Sequence, residues 1–323
     1  MHNLLVLAGA YASMRNHKRS RKGGKHGRSV RVRTRKSMFR IHEELGEGLF
    51  RRAFRMRFET FLRLYSCIRQ ELFEELKHNC WCQRGPNGRV HPSIILGIAI
   101  RMFAGADPLD LITSFGVSKT IVHDSVNHVI NAVCISKSLK ITFPKEHQEQ
   151  IRIAKEFQLI SDANFGSCVG AVDGMLVWIT KPSEKECSKI GVGSGKFYCG
   201  RKKKFGLNLQ ATVTSTRKFI ALSIKYPGSS SDFMAFENSD LRRELESSNF
   251  LSPGLCLFGD NAYVNTKYMA TPYPNVKQGS KDAYNFYHSQ LRICVECAFG
   301  TLVFLIVSFY SRLLFNFYFR YVS

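Results

Sequence analysis

Apolar side chains in the first half of the chain recur with a helical period. Between residues 45 and 136 they return every three or four positions. One face of this kind comprises Phe58, Phe61, Leu62, Tyr65 and Ile68. This spacing places apolar side chains on one side of an amphipathic helix. We therefore predict an all-helical region over residues 45–140.

Capping and turn residues divide this region into separate helices. Pro92 begins one helix, Asp107 and Pro108 begin a second, and Ser118 caps a third. Gly116 separates the last two. Two helices joined by such a turn suggest a helix-turn-helix, whose second helix lies in the DNA major groove.

Both DNA reading by this unit and simple packing of its helices remain open. The second helix carries almost no charge at the end that would enter a groove, apart from Lys119. If the unit binds DNA, Lys119 is the predicted contact.

Beyond about residue 166 the pattern changes to short apolar runs bounded by turn residues, which is typical of strands. The segment SCVGAVDGMLVWIT predicts a strand that is broken at Asp173 and Gly174. Residues 205–228 predict a hairpin around a turn at Ser215–Lys218. A helical segment, the apolar run LCLF and a closing helix, SQLRICVECAFG, follow in that order.

Three acidic residues fall where one sheet and one helix bring them together. Asp173 lies in the first strand, Asp260 follows the run LCLF, and Glu296 lies in the closing helix. The carboxyl ends of strands are where α/β sheets usually place their ligands. A central sheet therefore brings Asp173 and Asp260 side by side, with Glu296 over them. Asp232 is a further candidate, but its position after a hairpin and before a helix favours an N-cap role.

Converging carboxylates repel one another strongly unless a cation compensates them. Oxygen ligands without nitrogen donors favour Mg²⁺ or Mn²⁺ over zinc. Two such ions about 4 Å apart can stabilise both the attacking and the leaving oxygen in phosphodiester chemistry. The sequence thus predicts two divalent cations bound by Asp173, Asp260 and Glu296. Arg292, one turn before Glu296, is expected to steer that carboxylate or to touch phosphate.

The charge of the chain favours a polyanionic partner. The 323 residues include 47 Lys and Arg against 25 Asp and Glu, a formal net charge of +22. Residues 1–42 contain no acid, and residues 15–36 are rich in Lys and Arg. Such a run repels itself and stays extended, so residues 1–44 are predicted to form a disordered basic arm. It is interpreted as a nuclear address with nonspecific DNA contact, and a merely solubilising tail is the alternative.

A second basic cluster interleaves cations with aromatic side chains. It comprises Lys196, Arg201, Lys202, Lys203 and Lys204, with Phe197, Tyr198 and Phe205 among them. These cations are predicted to grip the DNA backbone beside the acids, and a solvated loop is the alternative.

Four segments in order resemble a known family. GAVDG, YPGSSSDFMAF, GDNAY and RICVECAFG look like the successive blocks of PIF/Harbinger-type transposases of the DDE superfamily, and 35 residues separate Asp260 from Glu296. The resemblance covers roughly residues 96–300. It implies an RNase H-like catalytic core in which Asp173, Asp260 and Glu296 are the metal-binding catalytic acids. It also implies a helical DNA-binding region before the core and a Myb/SANT-like accessory protein.

The predicted fold class is therefore α/β, with an RNase H-like mixed sheet flanked by helices. A helix-turn-helix-like region and the basic arm precede it. The predicted divisions are an arm at 1–44, a helical DNA-binding region at 45–140, a DDE catalytic domain at 165–300 and an apolar tail at 301–323. The tail departs from the family, whose members continue with a basic helical stretch.

The predicted function is a nuclear DNA transposase or endonuclease, acting as a homo-oligomer on DNA. It hydrolyses phosphodiester bonds at element ends and transfers the 3′-hydroxyl strand to target DNA. An inactive or domesticated DNA-binding protein is the alternative. A membrane-associated basic protein is a weaker one, because the apolar run at 302–309 is too short to span a bilayer.

Overall fold

The computed structural model describes residues 34–77, 89–188, 190–247 and 249–305. The described chain divides into two compact units, one within residues 34–140 and one within residues 141–304.

The described part of the first unit is helical. Its helices are α1 (Met38–Phe54), α2 (Phe58–Lys77), α3 (Pro92–Phe103), α4 (Pro108–Ser114) and α5 (Lys119–Ile135), followed by one 3₁₀ turn at Lys137–Leu139. The apolar face predicted around Phe58 is buried at Phe58, Phe61 and Ile68. Phe58 contacts Phe50 of α1, and Phe61 contacts both Phe50 and Phe54, so the helical period does build the core of this unit.

The predicted caps are the observed ones. Asp107 accepts a hydrogen bond from the Leu109 amide at 2.6 Å, and Ser118 accepts one from the Ile121 amide at 3.3 Å. Each cap satisfies an amide that has no partner inside its helix. The turn between α4 and α5 contains Gly116 at φ +59°, where a side chain would meet the Thr34 carbonyl oxygen.

The predicted boundary at residue 44 falls inside a helix. Helix α1 begins at Met38, where Ser37 is the N-cap, and it bends at Gly46. Buried Met38 anchors this start, so the basic segment gives way to folded structure earlier than the charge pattern predicts. The rest of the arm, residues 1–33, and most of the tail lie outside the described residues.

The second unit is a mixed α/β structure. Its helices are α6 (His147–Leu159), α7 (Glu184–Ser188), α8 (Asp232–Glu237), α9 (Asp240–Leu245) and α10 (Ser280–Leu305), with one 3₁₀ turn at Ser194–Phe197. Its strands are β1 (Cys168–Trp178), β2 (Tyr198–Cys199), β3 (Lys204–Val213), β4 (Phe219–Pro227), β5 (Cys256–Phe258) and β6 (Met269–Ala270).

Antiparallel and parallel strands meet at β1 in the centre of the sheet. The order is β2, β3, β1, β5, β6, and β4 also pairs with β3. Strands β1 to β4 pair antiparallel, whereas β5 runs parallel to both β1 and β6. Helix α10 covers this sheet through contacts such as His288 on Phe258 and Phe299 near Phe219. A mixed sheet flanked by helices is compatible with the predicted RNase H-like fold.

The structure corrects the prediction for β1. This strand runs unbroken from Cys168 to Trp178, through Asp173 and Gly174. Asp173 pairs with Ala211 and Gly174 with Gln210 on β3. Ladder pairing therefore outweighs the local turn preference of an Asp-Gly pair.

Helix α6 lies before the predicted start of the catalytic domain at residue 165, yet it belongs to the second unit. Its buried residues include Ile153, Ala154 and Phe157. The Gln150 amide donates to the Phe250 carbonyl at 2.7 Å, which ties the helix to the segment before β5.

Among the described residues, no helix is both long enough and apolar enough to cross a membrane.

Candidate active site on neighbouring parallel strands

Strand register brings two of the predicted acids together. Ala171 of β1 pairs with Phe258 of β5 in parallel, and Asp173 and Asp260 each lie two residues further along. Neighbouring strands are about 4.8 Å apart, so the two carboxyl groups lie close together. Asp260 lies just beyond the end of β5, where its Oδ1 accepts a hydrogen bond from the Ala262 amide at 2.9 Å.

Asp173 carries its charge in an unfavourable environment. Burial raises the pKa of Asp173 to about 6, and the neighbouring carboxylates of Asp260 and Asp232 add to this rise. The Arg292 guanidinium and the Gly174 amide oppose the shift, since each interacts favourably with the ionised form. Negative charge is therefore only partly compensated at this place.

Helix α10 supplies the positively charged side chain that contacts Asp173. Arg292 Nη2 lies 3.3 Å from Asp173 Oδ2, and both side chains are largely buried. The Nε atom of Arg292 is buried and has no hydrogen-bond partner among the described residues. Arg292 thus contacts a strand acid, whereas the sequence suggested that it would steer Glu296 or touch phosphate.

Glu296 lies one helical turn after Arg292 and is exposed. Residues four apart share a face of a helix, so Glu296 lies on the flank from which Arg292 reaches Asp173. Its carboxylate makes no hydrogen bond or ion pair with another described residue. The structure therefore brings Asp173 and Asp260 together and leaves Glu296 on the adjacent helix surface.

A buried histidine fixes this helix against the sheet. The His288 ring stacks on Phe258 at a centroid distance of 4.6 Å, and its Nε2 lies 3.1 Å from the Ala270 carbonyl oxygen. Burial lowers the pKa of His288 to about 4, so the ring is neutral at pH 7 and donates to that carbonyl. The role of His288 is therefore structural, because its ring N–H is hydrogen-bonded to the backbone carbonyl of Ala270.

A hydrogen-bonded network lies behind Gly174. Asp232 Oδ1 accepts from Asn208 Nδ2 at 2.9 Å and from Gln210 Nε2 at 3.2 Å. The Tyr263 hydroxyl donates to Gln210 Oε1 at 2.7 Å, which links the turn after Asp260 to β3. Ser231, and not Asp232, is the N-cap of α8. The N-cap role expected for Asp232 is therefore wrong, and its carboxylate turns to the sheet instead.

Alternation along β1 separates this network from the acid pair. Gly174 and Gln210 are paired residues, so Asp232 lies over the face of β1 opposite to the side chain of Asp173. Asp232 thus packs against the strand that carries Asp173, on the face opposite to the Asp173 side chain.

The carboxylates at this site are the right type of ligand for a hard divalent cation, but they are too few. Two adjacent carboxylates, one of them desolvated, are suitable oxygen ligands. Within the described residues, however, no three His, Cys, Asp or Glu side chains are grouped closely enough to hold a metal ion. Glu296, exposed on α10, is therefore not grouped with the two strand acids.

The predicted DNA contacts occupy two places. Lys196, Arg201, Lys202, Lys203 and Lys204 are exposed around the hairpin of β2 and β3, where Tyr198 pairs with Phe205 and Cys199 with Lys204. We call residues 196–204 the basic hairpin. Lys119 is exposed at the start of α5 in the helical unit.

Residues 172–310 match the family model of the DDE superfamily endonucleases. The match contains Asp173, Asp260 and Glu296, and it begins in β1 just before the first of them. It confirms the resemblance drawn from the four sequence blocks and is consistent with a Harbinger-type, transposase-derived nuclease family. We call residues 172–310 the endonuclease segment.

No curated protein matches the chain. No solved structure matches it either. The assignment of the endonuclease segment therefore depends on the family model and on the sheet that carries its acids.

Sequence reasoning did not predict the hydrogen-bonded network that supports this site. Tyr263 belongs to the block GDNAY, but its contact with Gln210 was not predicted, because it joins residues 53 positions apart. One signal was available, since polar Asn208 and Gln210 alternate inside an otherwise apolar strand. Buried amides in a strand require partners, and here those partners are Asp232 and Tyr263.

Proposed function

We propose that the protein is a metal-dependent DNA endonuclease of the transposase type. A DDE superfamily endonuclease segment implies DNA as the substrate and a divalent metal as the usual cofactor of such nucleases. The observation that carries the proposal is the parallel register that sets Asp173 beside Asp260 within this segment. In the proposed reaction, water cleaves at element ends and the freed 3′-hydroxyl then attacks target DNA.

The proposed ligands are Asp173 and Asp260, with Glu296 as the third acid. When bound, Mg²⁺ or Mn²⁺ would activate the attacking hydroxyl and stabilise the leaving oxygen. Asp173 needs such a cation most, because its ionised form is buried and faces other carboxylates. Arg292 holds that charge in the free protein, and its unpartnered Nε is a donor suited to a phosphate oxygen.

Substrate binding is proposed for the basic hairpin, with Lys119 as a further contact. None of the five cations of the hairpin has an acidic partner within 4.0 Å among the described residues. Unpaired lysines and arginines release counterions when they meet phosphate, so they bind DNA without reading its sequence. Nuclear location, a Myb/SANT-like accessory protein and assembly of several copies on DNA complete the proposal.

A second candidate is a DNA-binding protein that retains the fold without cleavage. It is favoured by one observation, namely that Glu296 stands apart from the two strand acids while Arg292 contacts Asp173. Both candidates bind DNA, and only the first requires a divalent cation.

Plasmid cleavage separates these candidates. The substrate is a supercoiled plasmid carrying the flanking element ends, incubated with Mg²⁺, Mn²⁺ or chelator, with and without the accessory protein. We expect metal-dependent nicking that falls at least about 100-fold in Asp260→Asn and in Glu296→Gln, because each removes a metal ligand. Asp282→Asn, an exposed acid on the first turn of α10, is the matched control and should cleave like the parent.

Metal binding supplies an independent readout. Mn²⁺ should raise the melting temperature of the parent but not of Asp260→Asn, because only a bound cation stabilises the folded state. DNA binding without cleavage and without this thermal shift would favour the second candidate.

A further inference from the structure

An exposed tryptophan lies on the same strand as Asp173. Trp178 ends β1, and half of its side chain is exposed. It pairs with Gly206 of β3, next to the basic hairpin. Large aromatic side chains usually bury most of their surface, so this position requires an explanation.

A lysine of the basic hairpin covers the ring. Lys204 Nζ lies 3.3 Å from the centroid of the Trp178 ring. The hairpin repeats the combination on the other face of β3, where Tyr198 is 42% exposed and contacts Phe205 edge to face, and Lys181 lies over the Phe205 ring. Exposed aromatic rings are therefore interleaved with cations that lack acidic partners among the described residues.

This combination has a specific chemical use. Cations alone are sufficient to contact the phosphates of a duplex, whereas an exposed indole offers a flat apolar face. In a duplex, neighbouring base pairs cover the faces of each base. Only an unpaired or terminal base has a free face that can stack on a side chain.

We propose that Trp178 is a stacking site for an unpaired nucleobase of the bound DNA, with the basic hairpin holding the adjacent phosphates. This inference rests on the proposed function, since it specifies the form of DNA that the site takes. A lysine contact with an exposed ring is weaker than base stacking on the same ring. A base therefore displaces Lys204, which then pairs with phosphate.

The side chains of Trp178 and Asp173 lie on opposite faces of β1. Trp178 is five positions after Asp173 on an unbroken strand, and successive side chains of a strand point to opposite faces. The stacked base is thus separate from the acid pair and is not the nucleotide that is cleaved.

Tryptophan fluorescence tests this directly. The chain contains 2 Trp residues, so Trp81→Phe leaves Trp178 as the sole reporter. Asp260→Asn is added to prevent cleavage. The probes are a blunt duplex, the same duplex with a short single-stranded thymidine extension, and oligothymidylate.

We expect the extended duplex and oligothymidylate to quench Trp178 fluorescence and the blunt duplex to leave it nearly unchanged. In anisotropy with labelled DNA, Trp178→Leu should weaken binding of the extended duplex about 5- to 50-fold and leave blunt binding unchanged. Trp178→Phe, which keeps a ring, should retain most of the preference. Phe286→Leu, which removes another exposed ring, should have no effect on either probe.

Three results would overturn the inference. They are equal quenching by blunt and extended duplexes, equal weakening of both by Trp178→Leu, and a loss of self-association in Trp178→Leu with DNA binding intact. The last result would make the surface a protein interface. Because these assays do not require cleavage, a preference for the extended duplex in a chain that never cuts would reject only the proposed hydrolysis.

Discussion

Asp173 opposes the stability of the folded protein while serving its proposed site. Its pKa is raised because the ionised carboxylate is taken out of water and set near other carboxylates. Arg292 offsets only part of this cost. A carboxylate that is unfavourable in the free protein gains most when a cation arrives, which is the pattern expected of a ligand.

The pH dependence of stability follows from this pKa. Since the folded value of about 6 lies above the ordinary value of 3.8, protonation favours the folded state. The stability contributed by Asp173 is fully present below about pH 4 and is lost as the pH rises through about 6. Asp173→Asn should therefore be about 2 kcal/mol more stable than the parent at pH 7, with no difference at pH 3.5.

Urea unfolding between pH 3.5 and 8, without divalent cations, measures this difference. Glu296→Gln neutralises an exposed carboxylate and should change stability by less than about 0.5 kcal/mol. A parent that is more stable than Asp173→Asn at pH 7 would show that the Arg292 ion pair outweighs the burial of the charge.

At this scale the sequence predicted that two acids would meet but not how the side chains around them pair. The order of strands and helices was enough to bring Asp173 beside Asp260. It did not predict that Arg292 would contact Asp173, because that contact depends on the depth at which α10 packs on the sheet. The contacts of Tyr263, Gln210 and Asp232 join distant positions, so the sequence pattern does not show which residues are partners.

Strand β1 and helix α8 approach each other at a glycine. A Cβ placed on Gly174 would lie 2.0 Å from Asp232 Oδ1 and 2.6 Å from Gln210 Nε2. Both atoms are held by hydrogen bonds, so neither can move without breaking the network. Gly174 is thus required by packing between elements and not by a turn.

We predict that Gly174→Ala lowers the free energy of unfolding by about 1–3 kcal/mol, because the methyl group overpacks this contact. Denaturant unfolding measures the loss. The same substitution at Gly193, which has nothing within 4 Å of its Cβ position, is the matched control. In a double-mutant cycle with Asp232→Ala, the cost of Gly174→Ala should fall, and an unchanged cost would mean that Asp232 is not the obstacle.

Elements were predicted well where end signals and period agreed. Helices α3, α4 and α5 begin at the predicted caps, and the hairpin of β3 and β4 turns within residues 214–218. The Asp-Gly pair in β1 was wrongly predicted to break the strand, because turn preference is local whereas strand pairing involves the neighbouring strands on both sides. Strand β5 is short, at Cys256–Phe258, since the chain leaves the sheet to present Asp260.

The positive charge of the molecule divides between the first residues and exposed cations of the folded units. The basic hairpin is one such place, and its contribution to DNA binding can be counted. Each phosphate contact on a duplex adds about 0.9 to the slope of log K against log salt.

Replacing Arg201, Lys202, Lys203 and Lys204 with Gln should reduce that slope by about 3 to 4, because four contacts are removed. Anisotropy titrations of a blunt duplex at several salt concentrations give the slope. Gln at Lys155, Lys267, Lys277 and Lys281 removes the same charge elsewhere on the second unit and is the control. Equal reductions in the two variants would indicate a diffuse charge effect and not a binding site.

The division into a helical and an α/β unit was visible in the change of period along the chain. The two compact units of the described chain divide between residues 140 and 141. Helix α6 was not assigned to either region, because its apolar face is short and its role appears only when the sheet is present.

The parallel pairing of β1 with β5 joins residues far apart in the chain. Cys168 pairs with Cys256, a separation of 256 − 168 = 88 residues. Contacts of such long range form slowly, since loop closure must precede them. During synthesis β1 emerges well before β5, so the edge of β1 that pairs with β5 is at first unpaired. The acid pair is therefore among the last features to form, and a nascent or truncated chain has no acid pair until the sheet is closed.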